Sequence, residues 1–318
     1  MFQHVLGTFF LSSLVIPAFL SACAPLQPSQ ANPMRLVALG DLHGDLDAAR
    51  RALRLAGAID TQDHWIGGSL VVVQTGDQLD RGDQELELLD FLDQVATEAE
   101  KAGGKMHLLN GNHEIMNVQG DFRYVTPAGF QSFDKLKLPE PPLASALLSK
   151  VPAFAKQRAI AFLPGGPYAL RLATRKSVLL LGDTVFVHGG VSPQHVDYGI
   201  DKLNGDYQNW LKGTVPNLPE LLTNDQSPIW SRVYSDPGLT PDCAQLKQTL
   251  DKLGLKRMVV GHSVHPKVNS ACEGQIWRID VGMARAYGGP VQILELSGPE
   301  PKVLEEKTPA QNGASSAP

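Results

Sequence analysis

The chain has 318 residues, 43% of them hydrophobic and 19% charged, with a formal net charge of −5. That length and apolar content suit one large domain or two small ones around a sizeable core. The acidic balance and the lack of any long Lys or Arg run argue against an extended nucleic-acid surface, and there is no internal repeat or Gln- or Asn-rich tract.

Residues 5–20 (VLGTFFLSSLVIPAFL) are mostly apolar but too short and interrupted for a comfortable membrane span. They read as the apolar region of a secretory signal. Leu20-Ser21-Ala22-Cys23 follows at once and resembles a bacterial lipoprotein cleavage box, with Cys23 as the lipid-bearing residue. Residues 1–22 are therefore expected to be a lipoprotein signal peptide, although residues 1–4 lack the usual positive flank. An uncleaved anchor helix or an ordinary signal peptide is the competing reading, and both export the chain. The expected location is the bacterial envelope: the periplasm, tethered to a membrane through a lipid on Cys23. Residues 23–33, rich in Pro, Gln and Ser, read as a linker.

The folded body is expected over residues 34–298. A short apolar run at 35–39 suits a buried strand, Gly40 to Gly44 turns, and Leu46, Ala49, Leu53 and Ala56 recur at helical spacing before Gly57. The unit repeats: a β-branched run at 70–73, then a helix with Leu88, Leu92 and Val95 on one face, ended near Gly103-Gly104. A third strand at 105–109 runs into Gly111, and the alternation argues for a βαβαβ core. Residues 121–175 hold many prolines and short helix-like pieces, read as a helical cap insertion rather than ordinary surface connections. Runs at 178–181 and 185–188 flank the hairpin signal Gly182-Asp183. A helix over 243–253 with Asp242 as cap follows, then strands at 257–260, 275–281 and 291–296. The simplest architecture is an α/β fold: a central β-sandwich of two mixed sheets flanked by helices. Residues 299–318 are expected to be a disordered tail. In an exported chain Cys243 and Cys272 are an even pair, either bridged or left as two free thiols.

Five short motifs each follow an expected strand: Gly40-Asp41-Leu42-His43-Gly44, Gly76-Asp77-Gln78-Leu79-Asp80-Arg81-Gly82, Gly111-Asn112-His113-Glu114, His188-Gly189-Gly190 and Gly261-His262. Several strands thus deliver polar groups to one sheet edge, where α/β sites tend to lie. Asp and Asn offer hard oxygens and His borderline nitrogen, a set that suits two divalent metals; with no Cys in the five motifs, a structural zinc knot is not expected. Alone, each motif is weak, since an Asp-x-His after a strand is more often a capping Asp beside an ordinary His. Five in order, all at strand ends, are a different matter.

This ordered set resembles the calcineurin-like metallophosphoesterases and, within them, the phosphoprotein phosphatase superfamily, over about residues 34–297. Export, Trp230-Ser231-Arg232 and the closing Arg278-Ile279-Asp280-Val281-Gly282-Met283 look most like the Shewanella-like bacterial phosphatases. The resemblance implies the metallophosphoesterase fold, and Asp41 and His43 on a first metal, Asp77 bridging both, and Asn112, His188 and His262 on the second. The metals would be Mn, Fe or Zn, with Mn foremost. His113 would be the general acid, positioned by Asp80, with Arg81 and Arg232 gripping phosphate oxygens. The SAPNY-type segment of eukaryotic members is replaced by Asp280-Val281-Gly282-Met283, which argues against their inhibitors and regulatory partners. The implied activity is hydrolysis of phosphate monoesters, on a phosphorylated protein with phosphotyrosine preferred or on a small phosphomonoester, by a hydroxide held between the metals. A dinucleoside polyphosphate hydrolase and a non-catalytic envelope lipoprotein are the alternatives. Among the remaining polar residues, His64 reads as a loop residue, His265 as a supporting or surface group, and Tyr287 as a packed aromatic; Asp280 is a candidate to orient a ligand histidine.

Overall fold

The computed structural model describes residues 1–2, 35–140, 148–149, 151–298 and 300–306. Nearly all of the expected signal peptide, Cys23, the linker and everything after residue 306 lie outside the described residues.

The first sheet is built on β1 (Leu36–Leu39), β2 (Val71–Gln74) and β3 (Lys105–Leu108), linked by α1 (Leu46–Leu55) and α2 (Glu85–Lys101). All three strands are parallel, with Leu36 opposite Val71 and Val71 opposite Lys105. β1 and β2 are buried along their whole length, which is why they are written as continuous runs rather than alternating ones. Helix α1 starts where the Asp45 side chain accepts the Ala48 N–H, with acidic Asp47 in its first turn and basic Arg54 in its last. β9 (Gln292–Glu295) pairs antiparallel with β1, and β10 (Lys302–Glu305) with β9, giving the order β10-β9-β1-β2-β3.

The second sheet has β4 (Val178–Leu181), β5 (Thr184–Val187), β6 (Arg257–Val260), β7 (Asn269–Ala271) and β8 (Ile276–Arg278), in the order β4-β5-β6-β8-β7. β4 and β5 form the antiparallel hairpin signalled by Gly182-Asp183, while β5, β6 and β8 run parallel. Side-chain alternation divides this sheet between two cores. Leu179, Phe186 and Val259 join Val37, Val72 and Leu108 of the first sheet in one cluster. Val185, Val187, Met258 and Val260 face the other way, onto α8 (Ile200–Leu211) and α9 (Cys243–Leu253) through Leu203, Tyr207, Leu246 and Leu250. Two mixed sheets flanked by helices are therefore the observed architecture.

Residues 121–175 carry α4 (Pro127–Asp134), α5 (Lys156–Phe162) and α6 (Pro167–Leu172), whose Phe133, Phe162, Ala169 and Leu172 belong to the second cluster. Two expectations need correction. The tail does not lose structure at residue 299, because Lys302–Glu305 add β10 and Leu304 packs on the core. The strand expected over 275–281 stops at Arg278, and Asp280 turns the chain beyond it by accepting the Gly282 N–H. Asp242 caps α9 as expected, accepting the Gln245 N–H, and Cys243 is bridged to Cys272 at the end of β7.

Candidate metal centre

Asp41 and His43 follow β1, Asp77, Asp80 and Arg81 follow β2, and Asn112 and His113 open α3 (Asn112–Gln119) after β3. His188 follows β5 and His262 follows β6. These strands run parallel within each sheet, so their C-terminal ends bring the residues to one edge. The turns there are strained: His43, Asp77, Asp80, Arg81 and His262 all have left-handed backbones, with φ from 43° to 70°. Two glycines make room for carboxylates, since a Cβ on Gly111 would fall 2.2 Å from Asp77 Oδ1 and one on Gly261 2.4 Å from Asp41 Oδ1.

The centre is organised around the buried carboxylate of Asp77. Its Oδ2 lies 3.2 Å from His188 Nε2 and 3.8 Å from both His43 Nε2 and His113 Nε2. His188 Nε2 is also 2.9 Å from Asn112 Oδ1 and 3.2 Å from His262 Nδ1. The far nitrogens of three imidazoles donate to backbone carbonyls: His43 Nδ1 to Leu79, His188 Nδ1 to Thr75 and His262 Nε2 to Trp230. Those bonds fix the tautomers, so in the neutral rings the inward nitrogens carry lone pairs. Lone pairs of Asp77, Asn112, His188 and His262 thus face one another with no proton between them. Such a set repels itself unless a cation stands at its centre, and its mix of hard oxygen and borderline nitrogen suits a divalent ion. Two groupings, His43–Asp77–His113 and Asp77–His188–His262, bring their donor atoms within 4.8 Å of one another, and Asp77 is common to both. Asp41 completes the first side, with Oδ2 3.9 Å from His43 Nε2.

The electrostatics fit. Burial pushes His43 down to about 4 and His262 well below the ordinary histidine value, so both hold neutral, ligand-ready rings. Burial would raise Asp77, but His188, His113 and His43 outweigh it and hold the carboxyl well below the usual range. Asp41 is driven well up by burial and by the charges of Asp280 and Asp77. His113 differs from His43 and His262. Burial acts to lower it, yet the Asp77 charge and a 2.6 Å hydrogen bond from Nδ1 to Asp80 Oδ2 raise it above the ordinary value. It is built to carry a proton.

Arg81 stands at the mouth, its guanidinium 4.3 Å from the Tyr124 ring and 5.3 Å from the Tyr287 ring, with Nε buried and unpartnered. Arg232 donates to the His262 carbonyl at 3.0 Å and to Ser263 Oγ at 2.7 Å. A cleft of about 450 Å³ opens beside Arg81, lined by His43, Asp45, Arg81, Asp83 and Arg285 among others. Tyr287 is not enclosed as a packed aromatic would be: it is 40% exposed, and its ring lies 5.3 Å from that of His43. Asp280 orients no histidine, since backbone carbonyls do so; it accepts the Gly282 N–H and lies against Asp41. His265 is buried on the Ser235 carbonyl at 2.7 Å, and His64 sits in an exposed loop. Sequence reasoning missed Glu114, Glu85, Asn117 and Arg158. Glu114 had a signal, its place in the third motif, whereas a lone Arg158 in a helical stretch had none.

Residues 34–266 match the family model described as calcineurin-like phosphoesterase. The chain belongs to the calcineurin-like phosphoesterase family. It is 40% identical over 301 residues to Shewanella-like protein phosphatase 2 of Arabidopsis thaliana, covering 85% of this chain and 77% of that one. It is 29% identical over 269 residues to Shewanella-like protein phosphatase 1 of Plasmodium berghei, covering 80% and 69%. Among solved structures it is similar to the cold-active protein-tyrosine phosphatase of a psychrophilic Shewanella, at 26% identity and a TM-score of 0.64, covering 85% of this chain and 80% of that one.

Proposed function

We propose that this metal-dependent phosphatase hydrolyses phosphate monoesters on proteins, phosphotyrosine foremost, with Asp41, His43 and Asp77 holding one divalent ion and Asp77, Asn112, His188 and His262 the other. The observation that carries the reading is the ring of facing lone pairs around Asp77 and His188. The tyrosine preference is supported by the similar cold-active protein-tyrosine phosphatase and by the two half-exposed tyrosine rings that flank Arg81. Mn is the ion we expect first. The site of action is the bacterial envelope, with the chain exported and tethered through a lipid on Cys23; the Cys243–Cys272 bridge supports an oxidising compartment.

Two divalent ions held there would supply a water of lowered pKa and positive charge opposite the phosphoryl oxygens. The chain's own residues do the rest. Arg81 and Arg232 bind and orient the phosphate oxygens. His113 holds a proton on Nε2 and gives it to the departing oxygen, while Asp80 fixes the ring through Nδ1 and stabilises its charged form.

The test is chelation followed by reloading with Mn, Fe or Zn, with the bound ions counted and activity measured on phosphotyrosine peptide, phosphoserine peptide and a dinucleoside polyphosphate. Two ions per chain and fastest turnover of the phosphotyrosine peptide are expected. His113→Asn should keep both ions and lose about 100- to 10,000-fold in turnover, and Asp77→Asn should impair both ions. Preferred cleavage of the dinucleotide, or no activity after loading, would overturn the reading.

A further inference from the structure

We propose that Arg158, carried by α5 of the 121–175 stretch, is a positioning residue for the proton donor: it sets the orientation of Asp80, and through Asp80 that of His113. The proposal rests on the reading of His113 as the general acid.

Arg158 is completely buried, so it touches neither solvent nor substrate. A buried guanidinium is costly unless its charge and its donors are all matched. Here each is matched. Nη1 and Nη2 donate to the two oxygens of Glu85, Nε donates to Asn117 Oδ1 at 2.8 Å, and Nη1 also reaches the Gly129 carbonyl at 3.2 Å. Nη2 lies 3.4 Å from Asp80 Oδ1, and the rings of Phe133 and Phe162 pack over the cation at 5.2 and 5.1 Å.

The partners of Arg158 are also the partners of the acid. Asp80 Oδ2 takes His113 Nδ1, which leaves Oδ1 to set the plane of the carboxylate. Oδ1 is held by Asn117 Nδ2 at 3.0 Å and by Arg158. Asn117 Nδ2 also donates to the His113 carbonyl at 2.9 Å, and Glu85 Oε1 accepts the Asp80 N–H. If Arg158 served only to anchor α5, its fork on Glu85 would suffice. Apart from the one on the Gly129 carbonyl, its remaining donors are instead spent on Asp80 and Asn117. Without the guanidinium, Glu85 would be left buried beside Asp80 with no cation of its own, and Asp80 would have to turn away from it. The His113 ring would turn with it.

The experiment uses the metal-loaded full chain and two substrates, p-nitrophenyl phosphate, whose leaving group departs without a proton, and phenyl phosphate, whose leaving group needs one. Arg158→Met should lower turnover of phenyl phosphate by about 100-fold while lowering that of p-nitrophenyl phosphate several times less. Arg158→Lys, which keeps the charge but loses the fork, should recover part of the difference. In a His113→Asn background, Arg158→Met should cost nothing further. Equal losses on both substrates, or the same loss with and without His113, would overturn the proposal and leave Arg158 an ordinary anchor. Should Arg158→Met not fold, Arg158→Lys carries the same two-substrate comparison. If His113→Asn itself spares phenyl phosphate, the acid reading falls and takes this proposal with it, and that result is visible before Arg158 is touched.

Discussion

Glu114 shows how one side chain holds the loops of the centre in register. Its two carboxylate oxygens accept the backbone N–H groups of Gly111 at 2.7 Å, Asp77 at 2.8 Å, Gln78 at 2.8 Å and Leu79 at 3.1 Å. It therefore clamps the loop after β2 to the start of α3, and with it the left-handed backbone of Asp77. Replacing one oxygen by an amide nitrogen leaves two buried N–H groups facing a donor. Glu114→Gln should cost about 2 to 4 kcal/mol of stability. It should also weaken metal binding roughly 10- to 100-fold, because Asp77 loses its support. Thermal unfolding of the metal-free protein and calorimetric Mn titration read the two effects separately. Unchanged values in both would mean that the loops hold themselves.

At the scale of elements, the short helix α7 (Pro193–Tyr198) couples the second core to pH. His195 is buried, its Nδ1 accepts the Ser192 N–H at 3.0 Å, and burial pushes its pKa down to about 4. Below pH ~6.5 the unfolded histidine takes up a proton that the folded one refuses. The unfolded chain then binds more protons, so stability falls as pH drops from about 6.5 and stops falling through this group near 4, by up to about 3 kcal/mol. His195→Asn keeps an acceptor for Ser192 but does not titrate. At saturating Mn its melting temperature should fall less steeply across that window than that of the unaltered protein; parallel curves would exclude His195. Legibility also follows the elements. β1, β2 and β5 could be read because buried strands are written as apolar runs, and Asp242 and Gly182-Asp183 are local signals. β7 is Asn-Ser-Ala, with no apolar pattern, and is a strand only because it pairs with β8. The same division runs through the centre. Asp41, Asp77, Asn112, His188 and His262 sit in short motifs, whereas Glu85 and Arg158 meet across 73 residues with nothing local to announce them.

For the whole molecule, the bridge between Cys243 and Cys272 links stability to compartment. It joins the start of α9 to the end of β7, closing a span of 29 residues at the far edge of the second sheet. Of the residues assigned to metal or phosphate, only His262 falls inside the loop it closes. Loop closure of that length is worth about 3.6 kcal/mol in the unfolded state. For a domain of this size that is a shift in melting temperature of roughly 7 to 14 °C. Cys243→Ser with Cys272→Ser should therefore melt earlier by about that much while keeping turnover at 25 °C. The native pairing should depend on route. Chain made in bacteria with residues 1–22 in place should show no free thiol at either position, and chain made without them should show two. Exported protein with both thiols free would remove the support that the bridge lends to an oxidising compartment, and would leave the envelope assignment resting on the N-terminal sequence alone.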